Sequence, residues 1–568
     1  MTSRWIEAAV LTLACLTLFA GLGSLPLTQP DEGRNALVAA EMLASGRWLV
    51  PTFGQVEYLD KPALFFKLVG VSLAAFGHTE AAARLPSALA ALALVAAVWA
   101  FARRFHGSRV GALAALSLAT MPLFVAFARL VIFDMVLTLL VCLAIFAGFL
   151  AEEAPPARRR RWYLAAALAA GLATLVKGPV GFVVPALVHL VAARASGRRG
   201  ALRRSLAPAN VALFLAVVLP WFVGVSVVAP DFPYYGIVHE TFARLTSESF
   251  QRNQPVWFYL FVLGAGALPW SLLAPAGAAA MWRLGRSLGS FDRLCIVWVL
   301  AVVAFFTLSR SKQPAYVLSV CVPLALLVGR ALDAAIERST GRAARALFGV
   351  LVAMCMLAAA GGAAATFAWM QPDLLERLPG PDGAGSALWH GVLPPAAGVC
   401  AVFVIAAAAA RWRRSAPAAL ACLALLLPAL LVATAPSFSA YAEARSSRAI
   451  ARTMLSLPPE AEVACLRCFP SALPFYLGRP VTLVSHDATE LRSNYVLFRI
   501  ARDRVLPPGV VFEGDLDAWL AGRERPVYLL ADEDGQQALA AIAAARGVGV
   551  RQVAPRYWAA LVPPAAEH

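Results

Sequence analysis

Runs of about twenty apolar residues recur along most of this 568-residue chain, and they fix its class first. Each run is long enough to cross a lipid bilayer as a helix. They lie at about 6–25, 82–102, 110–128, 132–150, 162–176, 179–193, 208–228, 256–281, 294–309, 314–332, 346–369, 389–410 and 416–434, which makes thirteen predicted spans. Composition agrees, with 60% hydrophobic residues against 45–50% in ordinary soluble domains. The net charge of +16 excludes little by itself. Its arginines sit in short clusters between apolar runs, which orients a membrane protein and requires no nucleic-acid partner.

Those clusters set the topology. Arg103, Arg104 and Arg109 fall in one connection, Arg158 to Arg161 in the next but one, and later clusters follow at 198–204, 283–293, 338–345 and 411–414. Every second connection is basic, and the positive-inside rule places all of these in the cytoplasm. The alternation holds only if the short apolar segment 63–77, interrupted by Lys67, lies at the interface instead of crossing.

The remaining connections then share the outer face. They carry Asp31, Glu32, Arg34, Asp60, Lys61, Asp134, Lys177, His239, Glu240, Arg244, Lys312 and Tyr316. Lysines on that side run against the positive-inside bias, which points to an anionic ligand for Lys61, Lys177 and Lys312. The stretch 29–67 is rich in charge for a chain that is only 14% charged, and ionisable groups gathered in a membrane protein mark functional sites. Bland readings compete. Asp31 can cap the helix after it, Lys177 can snorkel, and His239 can be a solvated loop residue. Asp134 and Lys61 have fewer such alternatives.

Beyond about residue 435 the pattern changes. An amphipathic helix at 439–455 is followed by strand-like runs EVACL, RPVTLVS, NYVLFRI and PVYLLAD and a helix at 536–546. This predicts a small α/β domain, 436–568, after a membrane domain, 1–435, whose first outer loop spans 28–80. With thirteen spans it faces outward. Seven of the nine cysteines lie in or beside apolar runs as packing residues. Cys465 and Cys468 form a CLRC pair that is open between a local disulfide and two thiols. No phosphate loop, dinucleotide fingerprint or HExxH pattern is present, and no DxD pattern lies in the membrane region 1–435.

Taken in order, the acidic pair Asp31–Glu32 after the first span, GRWLVPTFGQVEYLDKPAL, RLPSALAAL, RLVIFDM, LVKGPVG, VHETFARL and SRSKQPAYVL resemble the GT-C glycosyltransferases that use lipid-phosphate-linked sugars. The resemblance is to the lipid A aminoarabinose transferase group, relatives of the protein O-mannosyltransferases. It implies a polytopic α-helical membrane enzyme of the bacterial inner membrane, with its active site and α/β domain facing the periplasm. The implied reaction is inverting transfer of an amino sugar from polyprenyl (undecaprenyl) phosphate to a lipid A phosphate, by a monomer. It also implies roles. Asp31 and Asp134, with Glu32 beside the first, are the acidic groups of the reaction centre. Lys61, Arg34, Arg244, Tyr316, Lys177 and Lys312 bind the carrier phosphate and other anions. Asp60, His239 and Glu240 stand where relatives can hold a structural zinc; no other cofactor is implied. Asp60 replaces a Glu, and the His239–Glu240 order is reversed from the common pattern. Transfer to protein or another glycan, and transport of a lipid anion, are the alternatives. A transporter would show internal repeats and broken midplane helices.

Overall fold

The computed structural model describes residues 3–236, 254–273, 288–337, 341–377, 385–444, 446–454, 460–503, 505–507 and 509–564. Each of the thirteen apolar runs overlaps a helix among the described residues; within 256–281 these are Phe258–Gly266 and Trp270–Leu273. Among the described residues eight helices are long and apolar enough to cross a membrane, or nine if the bent pair Ser108–Ala119 and Pro122–Ala128 is one span. That pair is the predicted span 110–128, broken by 69°. Pro122 has no N–H to continue the first helix, and its fixed φ suits the first position of a new one.

The N-terminal helices are α1 (Ser3–Phe19), α2 (Asp31–Ser45), α3 (Leu64–Phe76), α4 (Glu80–His106), α5 (Ser108–Ala119), α6 (Pro122–Ala128), α7 (Asp134–Glu153), α8 (Pro156–Lys177) and α9 (Val180–Ala195). A two-stranded hairpin, β1 (Thr52–Phe53) and β2 (Val56–Glu57), follows α2. α3 buries Phe65, Phe66, Val69 and Leu73 and leaves Leu68, Val71 and Phe76 exposed. An interfacial helix, the placement expected for 63–77, would set such an exposed apolar row into lipid. α8 and α9 form a tight hairpin. A Cβ on Gly181 would lie 2.3 Å from the Ala173 carbonyl carbon, so only glycine allows the approach.

Ion pairs sort the helix ends. At one end Arg109 pairs with Asp333 and Glu337, Arg198 with Glu153, Arg204 with Glu152, and Arg330 with Asp292. Of these, Arg109, Arg198 and Arg204 belong to the basic clusters assigned to the cytoplasm. Asp134 and Lys177 stand at the opposite ends of α7 and α8 and pair with each other.

After the long helix Ala416–Ala444 the chain builds a six-stranded sheet in the order β5–β4–β3–β6–β8–β7. Its strands are β3 (Glu462–Leu466), β4 (Thr482–Ser485), β5 (Val510–Phe512), β6 (Val527–Ala531), β7 (Arg551–Ala554) and β8 (Tyr557–Val562). The first four in spatial order run parallel, and β8 and β7 close the edge antiparallel. β6 is buried throughout because both faces are covered: Leu529 packs with Leu466 and Leu539, and Leu530 with Ile450 and Leu473. Cys465 and Cys468 are both free thiols here, buried against Leu530.

One predicted strand is a helix. NYVLFRI lies in the helix Asn494–Asp503. Its Val, Phe, Tyr and Ile favour strand locally, but Asp60, 433 to 435 positions earlier, caps it from another part of the molecule. The expected helix 439–455 is also two pieces, the end of Ala416–Ala444 and Arg448–Met454.

Candidate functional site

The first turn of α2 is held by a buried ion pair. Glu32 is 1% exposed and Arg84 is 4% exposed. Arg84 Nε and Nη2 donate to the Glu32 carboxylate at 2.8 and 2.9 Å. The remaining guanidinium hydrogens go to the carbonyls of Leu22, Leu25 and Pro26, so all five donors are used. Glu32 also accepts from Thr28 N, Thr28 Oγ1 and Val131 N. Burial alone would raise its pKa, but the bonds from Arg84, Thr28 and Val131 outweigh that and hold it below the usual carboxylate range. A carboxylate saturated by five donors has no lone pair left for a substrate. The chemical role expected for Glu32 is therefore replaced by a positioning one. Its anchor, Arg84, was missed as a site residue; the signal was a lone arginine near the start of an apolar run.

The same turn is stitched to the connection that carries Asp134. Besides Val131 N on Glu32, Asn35 Nδ2 donates to Val131 O at 2.8 Å. Asn35 Oδ1 is buried without a hydrogen-bond partner among the described residues. Asp31 itself is the first helical residue, makes no capping bond, and has a side chain that is 59% exposed. Its partner is Arg34, at 2.5 Å. Burial works against the Arg34 charge, but Tyr58, Asp31 and Asp60 outweigh it and raise its pKa above the ordinary value. Arg34 Nε points to no acceptor among the described residues.

Asp134 opens α7 and is buried. Lys177, the last residue of α8, reaches it with Nζ–Oδ1 at 2.5 Å. The ammonium also lies 4.8 Å from the Phe133 ring and 5.4 Å from the Tyr316 ring. Tyr316, in the 3-10 turn Pro314–Val320, leans on Phe306. The tertiary structure thus joins Asp134, Lys177 and Tyr316, which are far apart in sequence. Lys312, two residues before that turn, is 9% exposed.

Asp60 is engaged elsewhere. Oδ1 accepts from Tyr235 Oη, Ser493 Oγ and Tyr495 N at 2.9, 3.2 and 2.7 Å, and Oδ2 accepts from Asn494 N at 3.1 Å. It caps the helix Asn494–Asp503 and so ties the first outer loop to the α/β unit. Lys61 Nζ donates to the Asp60 carbonyl at 2.7 Å. His239, Glu240 and Arg244 lie outside the described residues. Among the described residues no group of three His, Cys, Asp or Glu side chains is placed to hold a metal. Among the described residues, the Asp60 oxygens serve as a helix cap. Asp60→Ala is expected to lower stability by about 2 kcal/mol through loss of that cap, read as a fall in the thermal midpoint of the purified protein.

Further contacts set the α/β unit against the same loop. Gly33 meets it so closely that a Cβ would lie 2.8 Å from Ala472 N. Tyr476 Oη accepts from Leu27 N, Ser471 Oγ donates to Pro30 O, and Arg448 pairs with Glu80. These contacts set the turn that carries Asp31 and Glu32 against this unit.

Comparison with known proteins places this arrangement. Residues 60–223 match the family described as dolichyl-phosphate-mannose-protein mannosyltransferase. The chain is 31% identical over 361 residues to undecaprenyl phosphate-alpha-4-amino-4-deoxy-L-arabinose arabinosyl transferase 2 of Pseudomonas fluorescens, covering 63% of this chain and 61% of that relative. The match thus spans about three fifths of the relative's length. The fold match is fuller. The crystal structure of ArnT from Cupriavidus metallidurans bound to undecaprenyl phosphate superposes with a TM-score of 0.84 at 28% identity, over 99% of this chain and 98% of that one. The chain has the GT-C fold, and its resemblance is to the aminoarabinose transferase group. An oligosaccharyltransferase of Archaeoglobus fulgidus shares that fold at a TM-score of 0.52 and 11% identity. Within the GT-C fold, the α2 turn, the Asp134 turn and the Lys177 hairpin converge at one end of the helix bundle.

Proposed function

We propose that this protein is an inverting glycosyltransferase of the bacterial inner membrane. It moves an amino sugar of the aminoarabinose type from undecaprenyl phosphate to a phosphate of lipid A, at the periplasmic face. The observation that carries the reading is the Asp134–Lys177 pair under Tyr316. It lies in a chain that overlays an undecaprenyl-phosphate-bound relative over nearly its whole length.

The chemistry fits these groups. The leaving group is a phosphate monoester, already a good one, and cations at the membrane face stabilise its growing charge. Tyr316 offers a hydroxyl donor. An acceptor phosphate is anionic and nucleophilic without a strong base. A carboxylate already paired with lysine, as Asp134 is, suits orienting such an acceptor and its counter-charges better than taking a proton. Attack opposite the leaving phosphate inverts the anomeric centre. Asp31, more exposed and held by Arg34, would act on the same acceptor from α2.

The test uses membranes holding the full-length protein, radiolabelled undecaprenyl-phosphate aminoarabinose and lipid A. Label is expected to pass to lipid A, with a matching mass increment in lipid A from cells that express the gene. Label that stays on the carrier, or that reaches protein or another glycan in its place, would overturn the reading. Lys61→Ala is expected to raise the KM for the carrier by about tenfold or more, the worth of one charge-assisted hydrogen bond. A KM equal to wild type at normal expression would remove Lys61 from the carrier site.

A further inference from the structure

The CLRC pair takes no part in the proposed transfer, and the fold brings its two sulfurs together. Cys465 sits in β3, where its Cα pairs with Leu530 of β6. Arg467 then turns the chain in the left-handed region, with φ of +52°, and donates its N–H to Val484 O at 2.9 Å. The turn brings Cys468 back over the same strand. Its thiol donates to Leu530 O at 3.7 Å and lies within hydrogen-bond reach of the Cys465 thiol. Both side chains are buried, at 0% and 4% exposure, in one cluster with Leu530 and Leu473.

Neither sulfur is set up as a nucleophile or a metal ligand. A reactive thiol needs a lowered pKa. The Cys468 thiol is held well above its usual value by its bond with Cys465, by burial and by Asp532 nearby. Among the described residues no third His, Cys, Asp or Glu side chain completes a metal site around the pair. The chemistry left to two adjacent thiols in an oxidising compartment is to join.

The chain just beyond the pair grips the first outer loop. Phe469 sets its ring edge-on to Phe53, with centroids 5.3 Å apart, and a Cβ on Gly54 would lie 2.8 Å from the Phe469 ring. Ser471 Oγ donates to Pro30 O at 3.0 Å, and Ala472 meets Gly33. Phe469 and Ala472 pack in the same cluster as the membrane helices, whereas Cys465 and Cys468 belong to a core of the α/β unit. The pair thus stands at the seam, directly before the segment that seats the turn of Asp31.

We infer that Cys465 and Cys468 form a disulfide site, and that the bridge fixes the segment 467–472 against the turn that carries Asp31. The inference rests on the outward placement of the α/β unit in the proposed function. The oxidant is a dithiol–disulfide exchange protein of that compartment. The Cys468 thiolate attacks one sulfur of the donor's disulfide and releases the other as a thiol. The Cys465 thiolate then attacks the Cys468 sulfur and releases the second donor thiol. One Sγ–Sγ bond forms, the donor's S–S bond breaks, and the two protons and two electrons of the pair pass to the donor. The closed unit buries both sulfurs, so the exchange takes place during folding, before burial.

Trypsin cuts after Arg467, between the two cysteines. Digestion of the full-length protein, purified from membranes with its free thiols alkylated, therefore leaves peptide 453–467 and the peptide starting at Cys468 joined only by the bridge. A linked, unalkylated pair that reductant separates is expected by mass spectrometry. Two separate peptides, each alkylated, would overturn the disulfide. Reduction of the native protein, checked by the same digest, is expected to lower the thermal midpoint by about 2–5 °C, because a ring of four residues restrains little chain. The same reductant is expected to leave the midpoint of a Cys465→Ala, Cys468→Ala double variant unmoved. Amide exchange at 467–472 and 28–35 is expected to quicken on reduction. A wild-type midpoint and exchange that do not respond to reduction would overturn the fixing role. A linked pair in protein that transfers no sugar would support the disulfide and sink the proposed function; separate thiols in protein that transfers sugar would do the reverse.

Discussion

Arg84→Ala is expected to be the most destabilising single change in the outer loop, at about 3–5 kcal/mol. It leaves the Glu32 carboxylate buried at 1% exposure with its countercharge gone, and it frees the carbonyls of Leu22, Leu25 and Pro26. Glu32→Gln is the milder partner, since an amide keeps the shape and part of the bonding. Both are read as yield and thermal midpoint in detergent. A midpoint within error of wild type for Arg84→Ala would show that the pair is dispensable. The pair also has a pH signature. Glu32 has a folded pKa below its unfolded value. Its contribution is full above the unfolded value and fades as pH falls through the folded one. The Arg84→Ala variant should therefore lack that part of the acid-side loss of stability.

Asp134→Asn is expected to keep the fold and lose transfer by about 10²- to 10³-fold, the range for removing one preorganised electrostatic group at a reacting centre. The amide occupies the same volume and still accepts from Lys177 Nζ, so the helix ends stay in register. What disappears is the negative charge beside the ammonium. Lys177 then carries an uncompensated charge next to Tyr316, which changes how an incoming anion is held. Lys177→Gln alone should also impair transfer. The double variant should lose less than the sum of the two, because the charges face each other at 2.5 Å and act as a unit. Transfer near wild type in Asp134→Asn membranes would exclude this pair from the reaction centre. Strictly additive losses would show that the two residues act separately.

Much of this arrangement was legible in the chain. Apolar run length is a local property, and the bilayer demands satisfied backbone bonds, so the spans could be read directly. Alternating arginine clusters sorted the connections, and that sorting brought Asp31, Asp134, Lys177 and Tyr316 to one face before any contact was known. Spacing could not say which charge meets which. Asp31 and Glu32 are neighbours in sequence, yet one is exposed beside Arg34 and the other is sealed by Arg84. Lys61 and Asp60 are likewise adjacent, but Asp60 turns away to cap a helix more than four hundred residues on. Composition alone made NYVLFRI a strand; the cap from Asp60 and the burial of Tyr495 and Val496 made it a helix. Local sequence thus determined the class and the placing of the apolar helices, because these follow from transfer of short segments between water and lipid. Only the tertiary structure decided which carboxylates are spent on architecture and which stay open for chemistry, because that depends on partners brought together across the whole chain.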